Sequence, residues 1–368
     1  SHAYIIGNTH YTFLTQHRDE GRPSGNDIAG DIAGNAAYFR KLRFSLLPDR
    51  YPDPRLKPFF DDAGRPTDSG DYSHRPNPEW FHQRADVAVQ TAFEHDLITD
   101  LILCGPDTVA SRSTLRPAAN RGDPTPWLKY VAARYGSFPN VLICLANEYD
   151  IKEPRYSPAE SARMGRILRS FLAYPVPVSV HASQPGYWSL AFDELPVWAD
   201  HQTIQRKLRS LRLSADAIAQ VWANPGEGGP RRRPTINDEL SYQGEGDRHS
   251  PEDTIESHLG AFLGGGYGTT GSKPANKQGQ YFWGGFDPSV HTAADNLQWF
   301  RQVVDRHISF WKMGPSTSIF FNLDPGFSGL AWPGEEYVLG TNHSHTGLTA
   351  VLPEGEWTIR CYDLIAKT

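Results

Sequence analysis

Unbroken apolar runs alternate with amphipathic segments along most of the chain. Val141, Leu142, Ile143, Cys144, Leu145 and Ala146 are apolar without a break, the pattern of a strand covered on both faces in a parallel sheet. Comparable runs predict strands at 4–14, 42–48, 97–104, 176–181, 195–205 and 235–239. His10, His181 and His201 fall near the ends of three of them. Between the strands, apolar positions recur at helical spacing over 26–40, 77–93, 126–135, 157–172, 214–222, 250–263 and 293–308. Start signals sharpen several of these: Asn77 before Pro78 and Glu79, Ser157-Pro158 with Glu160, Ser214, and Ser250-Pro251. Glycines over 264–271 carry the chain into an eighth strand or loop.

Eight strand–helix units predict an α/β fold, a (β/α)8 TIM barrel, occupying 1–315. The pattern changes after Pro315. Short apolar runs around 337–340, 347–353 and 357–362, separated by Gly and Pro turns with no helix between them, predict antiparallel hairpins. They form a small C-terminal β appendage over 316–368, packed on the barrel and too small to fold alone. The Pro- and Gly-rich stretch 49–76 reads as a long functional loop.

Barrel enzymes place their chemistry just past the C-terminal ends of the strands. The fourth run ends in Asn147-Glu148-Tyr149-Asp150, and the seventh in Asn237-Asp238-Glu239. Fourth and seventh strands lie nearly opposite one another in an eight-stranded barrel, so Glu148 and Glu239 can face each other over one cleft. A pair of carboxyls, one protonated and one ionised, is what glycoside cleavage requires. Asp238 competes with Glu239, because adjacent strand residues point to opposite faces and only one can reach the mouth.

Composition narrows the partners. Lys and Arg number 36 against 42 Asp and Glu, a net charge of −6, which leaves no basic field for nucleic acid. No apolar run is long enough to span a bilayer. Aromatic residues are 12% of the chain, with 10 Trp and 16 Tyr, and flat rings suit the apolar face of a carbohydrate. Three cysteines make no disulfide framework; Cys104 and Cys144 read as small buried apolar residues. No cofactor is expected, since the glycines at 264–266 lack the Lys-Ser/Thr of a phosphate loop. No metal is expected either: the first strand has no His-x-His, and no strand ends in a bridging Lys. The chain begins at Ser1-His2 without Met and with no leader visible, which leaves its compartment open; its oligomeric state is not readable from the sequence.

These residues resemble a known group. Asn147-Glu148 and Glu239 are similar to the retaining (β/α)8 glycoside hydrolases of clan A. Within that clan, Tyr38 to Arg43, Trp127 to Asn140, Leu145 to Asp150, Asn237-Asp238-Glu239 and Gly264 to Thr269 resemble the apiosidase-like glycoside hydrolase family. The resemblance spans most of 1–310. It implies that Glu148 is the acid/base, that Glu239 is the nucleophile, that Asn147 orients the sugar beside the cleaved bond, and that Arg43 supports Glu239. It also implies a sugar platform at Trp283. The first barrel segment and the 49–76 loop depart from the family pattern. From the residues themselves, His10, His181 and His201 are expected to form a polar sugar-binding rim, and Tyr242 to bond Glu239. Two other functions fit the same pattern: an inactive carbohydrate-binding barrel and a metal-dependent barrel hydrolase.

Overall fold

A computed structural model describes residues 2–11, 14, 28–48, 56–68, 75–105, 114–116, 122–151, 153–183, 198–223, 233–244, 249–273, 286–316, 320–321, 327–343 and 349–368. Eight parallel strands form one sheet: β1 (Ile6–Thr9), β2 (Lys41–Ser45), β6 (Ile98–Ile102), β7 (Val141–Cys144), β8 (Val178–Ser179), β9 (Gln202–Ile204), β10 (Thr235–Asn237) and β11 (Tyr267–Thr270). Their spatial order is β8-β7-β6-β2-β1-β11-β10-β9. A parallel bridge between His181 and Thr203 brings the two edges together. Helices cross between the strands and cover the outside, so the strands are buried on both faces. This is the (β/α)8 barrel.

The strand register sets the depth of each inward side chain. Thr9, Arg43 and Asp100 lie level across β1, β2 and β6. Lys41 sits two residues below Arg43 on the same face. Above this polar layer, Tyr11, Ile102, Cys144 and Tyr242 make a small apolar cluster.

Local signals account for several helix starts. In Pro158–Phe171, Ser157 and Glu160 form a reciprocal capping box with Pro158 at the first position. In Pro251–Leu263, Ser250 and Asp253 do the same. Asn77 accepts from the Glu79 amide. Ser214 departs from expectation. The helix runs Leu211–Ala223, so Ser214 lies inside its first turn, and its hydroxyl donates to the Ser257 carbonyl of the neighbouring helix at 2.7 Å.

The described residues of 49–76 form more than a plain loop. They contain a small antiparallel sheet of β3 (Phe59–Phe60), β4 (Pro66–Thr67) and β5 (Arg75–Pro76), with β3 central. The sixth strand is much shorter than 195–205 suggests, at Gln202–Ile204.

Toward the C-terminus, β12 (Gly314–Pro315), β14 (Phe327–Trp332) and β15 (Glu336–Thr341) form an antiparallel sheet, and β13 (Phe320–Phe321) pairs with β16 (Thr349–Ala350). The first of these sheets therefore begins at Gly314, just ahead of residue 316. It lies on the outer helices: a Cβ at Gly340 would meet the Leu263 side chain at 2.3 Å, and Arg212 donates to the Phe327 carbonyl at 3.4 Å. The strand expected at 357–362 does not form. Those residues are largely exposed; instead Trp357 packs on Tyr337 and Tyr362 stacks on His307.

Candidate active site

The C-terminal ends of the barrel strands converge on Arg43. Its guanidinium is fully buried and projects inward from the middle of β2. Nη1 donates to the Tyr11 hydroxyl at 2.7 Å. Nη2 donates to Asn147 Oδ1 and lies 2.9 Å from His181 Nδ1. Nε is 3.9 Å from Asp238 Oδ2. One planar cation thus ties together residues that follow the first, fourth, fifth and seventh barrel strands. A guanidinium can only donate, so it selects the oxygen of the Asn147 carboxamide and leaves the NH2 as the donating end. His181 Nδ1 also contacts that oxygen.

Tyr11 connects this cation to Glu239. While accepting from Arg43, its hydroxyl donates to Glu239 Oε1. The other carboxylate oxygen, Oε2, is 3.5 Å from Lys207 Nζ. Glu239 is only 3% exposed. Burial pushes its pKa up, but Lys207, His181, Arg43 and the Tyr11 hydrogen bond outweigh burial and hold it below the usual value. Burial and Arg43 push His181 down to about 3, so the ring is neutral at ordinary pH. The cations acting on Glu239 there are Lys207 and Arg43.

Asp238 turns into a separate cluster. It accepts from Lys41 Nζ and, at 2.6 Å, from the Thr269 hydroxyl; Lys41 also reaches Asp100 at 3.1 Å. Burial works against the Asp238 charge, and Lys41 and Arg43 overcome it, leaving its pKa well below the usual range. Both acids point inward. Strand alternation ends at Asn237, whose own side chain turns to clamp residue 206 through bonds of 3.0 and 2.9 Å to its backbone N–H and C=O. Choosing between the two by alternation does not apply past that point. Their partners separate them: Asp238 is neutralised within the barrel, and Glu239 is held at the Lys207 side.

Glu148 follows Asn147 at the top of β7. It is 8% exposed, and its backbone has φ 48. A left-handed conformation is uncommon for a residue with a Cβ and costs about 1–2 kcal/mol. The turn is held by amide bonds on either side: Asn147 N–H to the Cys104 carbonyl at 3.0 Å, and Tyr149 N–H to the His181 carbonyl at 3.1 Å.

The barrel does not gather every expected residue. His10 is buried with its Nε2 3.0 Å from Asn8 Nδ2, and Asn8 bonds Asn35 of the helix Ile28–Tyr38. This pair of alternate residues faces the strand–helix seam, so His10 is not part of the rim; its neighbour Tyr11 turns inward. His201 precedes β9 and lies near the strand's N-terminal end, below the mouth. Burial pushes its pKa down to about 4, and the charges acting on it are Asp100 and Asp238, which raise it, and Lys41 and Arg169, which lower it. The Tyr242 hydroxyl is 3.5 Å from the Asp238 carbonyl, and its ring carries the Lys207 ammonium at 4.9 Å. Trp283 lies outside the described residues. Tyr11 and Lys207 were not among the expected site residues. Tyr11 stands beside an expected one, and Lys207 belongs to the basic run Arg206-Lys207-Leu208-Arg209 just past the true end of the sixth strand.

A cavity of about 190 Å3 lined by Tyr4, Arg233, Tyr267, Phe310 and Trp311, among others, lies at the opposite, N-terminal end of the strands. Among the described residues no three His, Cys, Asp or Glu side chains cluster to hold a metal ion, and no helix is long and apolar enough to cross a membrane. Burial raises the Cys144 thiol pKa, which keeps it protonated and inert beneath the site.

Known structures share this architecture. A Bacteroides vulgatus ATCC 8482 crystal structure, described only provisionally as a glycoside hydrolase, superposes with a TM-score of 0.63 at 19% identity over 91% of this chain. The chain spans 64% of that protein's length. A second structure from that organism, a glycoside hydrolase family 5 protein, gives 0.63 at 11% identity, covering 89% of this chain and 74% of the other. An endo-1,4-beta-mannanase from Rhizomucor miehei gives 0.56 at 12%, covering 80% and 95%. At such identities the likeness is one of fold. No curated protein matches the sequence. A family model described as "Apiosidase-like, catalytic domain" matches residues 54–270, more than half of the chain. The chain belongs to the apiosidase-like catalytic-domain family.

Proposed function

We propose that the protein is a retaining glycoside hydrolase in which Glu239 is the nucleophile and Glu148 the acid/base. The observation that carries this reading is the grip on Glu239: one oxygen accepts from Tyr11, the other faces Lys207, and Arg43 stands behind Tyr11. A carboxylate buried yet kept ionised and oriented is prepared to attack an electrophilic carbon. Family membership and the barrel's likeness to glycosidases support the choice of an anomeric carbon. Asn147, with its oxygen committed to Arg43, would donate from its NH2 to a sugar hydroxyl.

In the first step Glu239 attacks the anomeric carbon while Glu148 gives its proton to the departing glycosidic oxygen. In the second, Glu148 takes a proton from water, the resulting hydroxyl bonds to the same carbon, and Glu239 leaves as carboxylate. Two inversions return the original anomeric configuration. The ionised Glu239 would help keep Glu148 protonated.

The test is trapping with a panel of 2-fluoro glycosides and mapping of the labelled residue by mass spectrometry. Label on Glu239 is expected; label on Asp238, or none with any sugar that is turned over, refutes the assignment. The panel should include β-mannosides, since a fold neighbour is a mannanase. Glu239→Gln and Glu148→Gln should each lower kcat by roughly 10²–10⁴-fold or more, and azide should rescue only the loss at the nucleophile or acid/base position.

A further inference from the structure

The grip on Glu239 is asymmetric. Oε1 is held from behind: Tyr11 is 2% exposed and is itself anchored by fully buried Arg43. Oε2 faces a different partner. The Lys207 side chain is 27% exposed, so it reaches Glu239 from the solvent side. Its contact of 3.5 Å is looser than the roughly 2.7–2.9 Å of a close charge-assisted hydrogen bond. Its position is nevertheless built into the fold. The ammonium rests over the Tyr242 ring at 4.9 Å, a cation–π seat. The backbone of Arg206 is clamped on both its N–H and its C=O by Asn237, two residues before Glu239.

Resting on the hydrolase reading above, we infer that Lys207 contacts the sugar bound next to Glu239, passing from Glu239 Oε2 to an oxygen beside the anomeric carbon as the substrate settles. The oxygen engaged by Tyr11 is tied to the barrel wall, so Oε2 is the one that attacks. An anomeric carbon approaching Oε2 comes to the side on which the ammonium lies. Positive charge then builds on that carbon, and an ammonium still aimed at the same point would oppose it. An oxygen of the sugar supplies the replacement acceptor, and the seat over Tyr242 keeps the ammonium within reach of it. Lys207 would therefore act on specificity and on substrate affinity, whereas Tyr11 acts on Glu239 from behind and Arg43 sets the orientation of Tyr11 and Asn147.

The experiment compares wild type with Lys207→Met and Lys207→Arg. Binding of manno-, gluco-, xylo- and arabino-oligosaccharides is followed by calorimetry, and the Glu239 carboxyl is titrated by 13C NMR without sugar. Lys207→Met should weaken binding of the preferred oligosaccharide by about 10-fold or more and move the Glu239 titration to higher pH. Lys207→Arg should recover most of both. Unchanged affinity in Lys207→Met, or an unmoved titration, overturns the inference. The hydrolase reading fails separately, if the wild type binds an oligosaccharide but neither cleaves nor is labelled by any glycoside. If no oligosaccharide binds the wild type, both fall.

Discussion

Tyr11 is the residue on which the site's electrostatics turn. Its hydroxyl accepts from a guanidinium and donates to a carboxylate, so it carries the influence of Arg43 to Glu239 without placing a second cation in the cleft. Tyr11→Phe keeps the ring in its apolar cluster with Ile102, Cys144 and Tyr242 and removes only this bridge. A hydrogen bond to a charged group is worth about 1.5–3 kcal/mol, so kcat/KM should fall roughly 10- to 100-fold. The direction of the pH effect follows from the same bond. The Tyr11 donor is one of the influences that lower the Glu239 pKa; without it the carboxyl takes up a proton at higher pH, and the acidic limb of the kcat/KM profile should move up. A Tyr11→Phe enzyme with an unaltered acidic limb would show that the bridge does not act on the nucleophile. Nothing in the sequence distinguished Tyr11 from His10. The strand that precedes them is buried on both faces, so its apolar pattern does not reveal which side is inward. Lys207 was hidden for another reason: the sixth strand is Gln202–Ile204, so His201, expected near its end, precedes it, and the site positions past its end belong to the basic run instead.

At the scale of elements, the strands and helices that are long and strongly patterned were legible, as were the starts at Asn77, Ser157 and Ser250, because a cap is a local hydrogen bond that needs only nearby residues. The strand ends carrying Asn147-Glu148 and Asp238-Glu239 were legible for a related reason: an apolar run that stops abruptly at polar residues marks its own boundary. What depends on partners far along the chain was not. The sheet of β3, β4 and β5 has strands of only two residues, and the Trp357 region has the composition of a strand but no ladder to join. The contact between the helices Leu211–Ala223 and Pro251–Leu263 was likewise invisible, although glycine makes it possible. A Cβ at Gly260 would lie 2.3 Å from the Leu211 carbonyl oxygen and 2.7 Å from the Ser214 Cβ. The same approach lets the Ser214 hydroxyl reach Ser257. Backbone cannot yield as a flexible side chain can, so Gly260→Ala should force the helices apart and cost about 1–3 kcal/mol by overpacking, read as a lower urea midpoint with an unchanged slope. Gly64→Ala has open space around it but φ 77, and should lose only about 1 kcal/mol through backbone strain.

For the molecule as a whole, the buried histidines govern the response to acid. Burial pushes His258 and His291 down to about 3, with His181 at about 3 and His201 at about 4. Neither ring nitrogen of His258 or His291 has a hydrogen-bond partner among the described residues. His291 stacks on Phe39 with centroids 5.5 Å apart, and His258 lies against Gly268 of β11. These rings fold neutral. An unfolded histidine titrates near 6.5, so below that pH the unfolded chain holds more protons than the native one, and stability rises with pH there. The contribution is intact above about pH 6.5 and is lost progressively as pH falls toward 3–4, by up to roughly 1.4 kcal/mol per pH unit for each ring. Asp238 and Glu239, whose pKa values are lowered in the fold, contribute in a lower, partly overlapping window: their stabilisation is full above the ordinary carboxylate range and is lost as the pH falls through it. Urea unfolding at pH 7.5, 6 and 5 should therefore show stability already declining between 6.5 and 5, above the window in which the contribution of Asp238 and Glu239 is lost. In His291→Phe, which keeps an aromatic ring against Phe39, that decline should become shallower, and in His258→Leu/His291→Phe shallower still. If both variants retain the wild-type slope over that interval, the acid sensitivity has another source and these rings accept protons in the folded state.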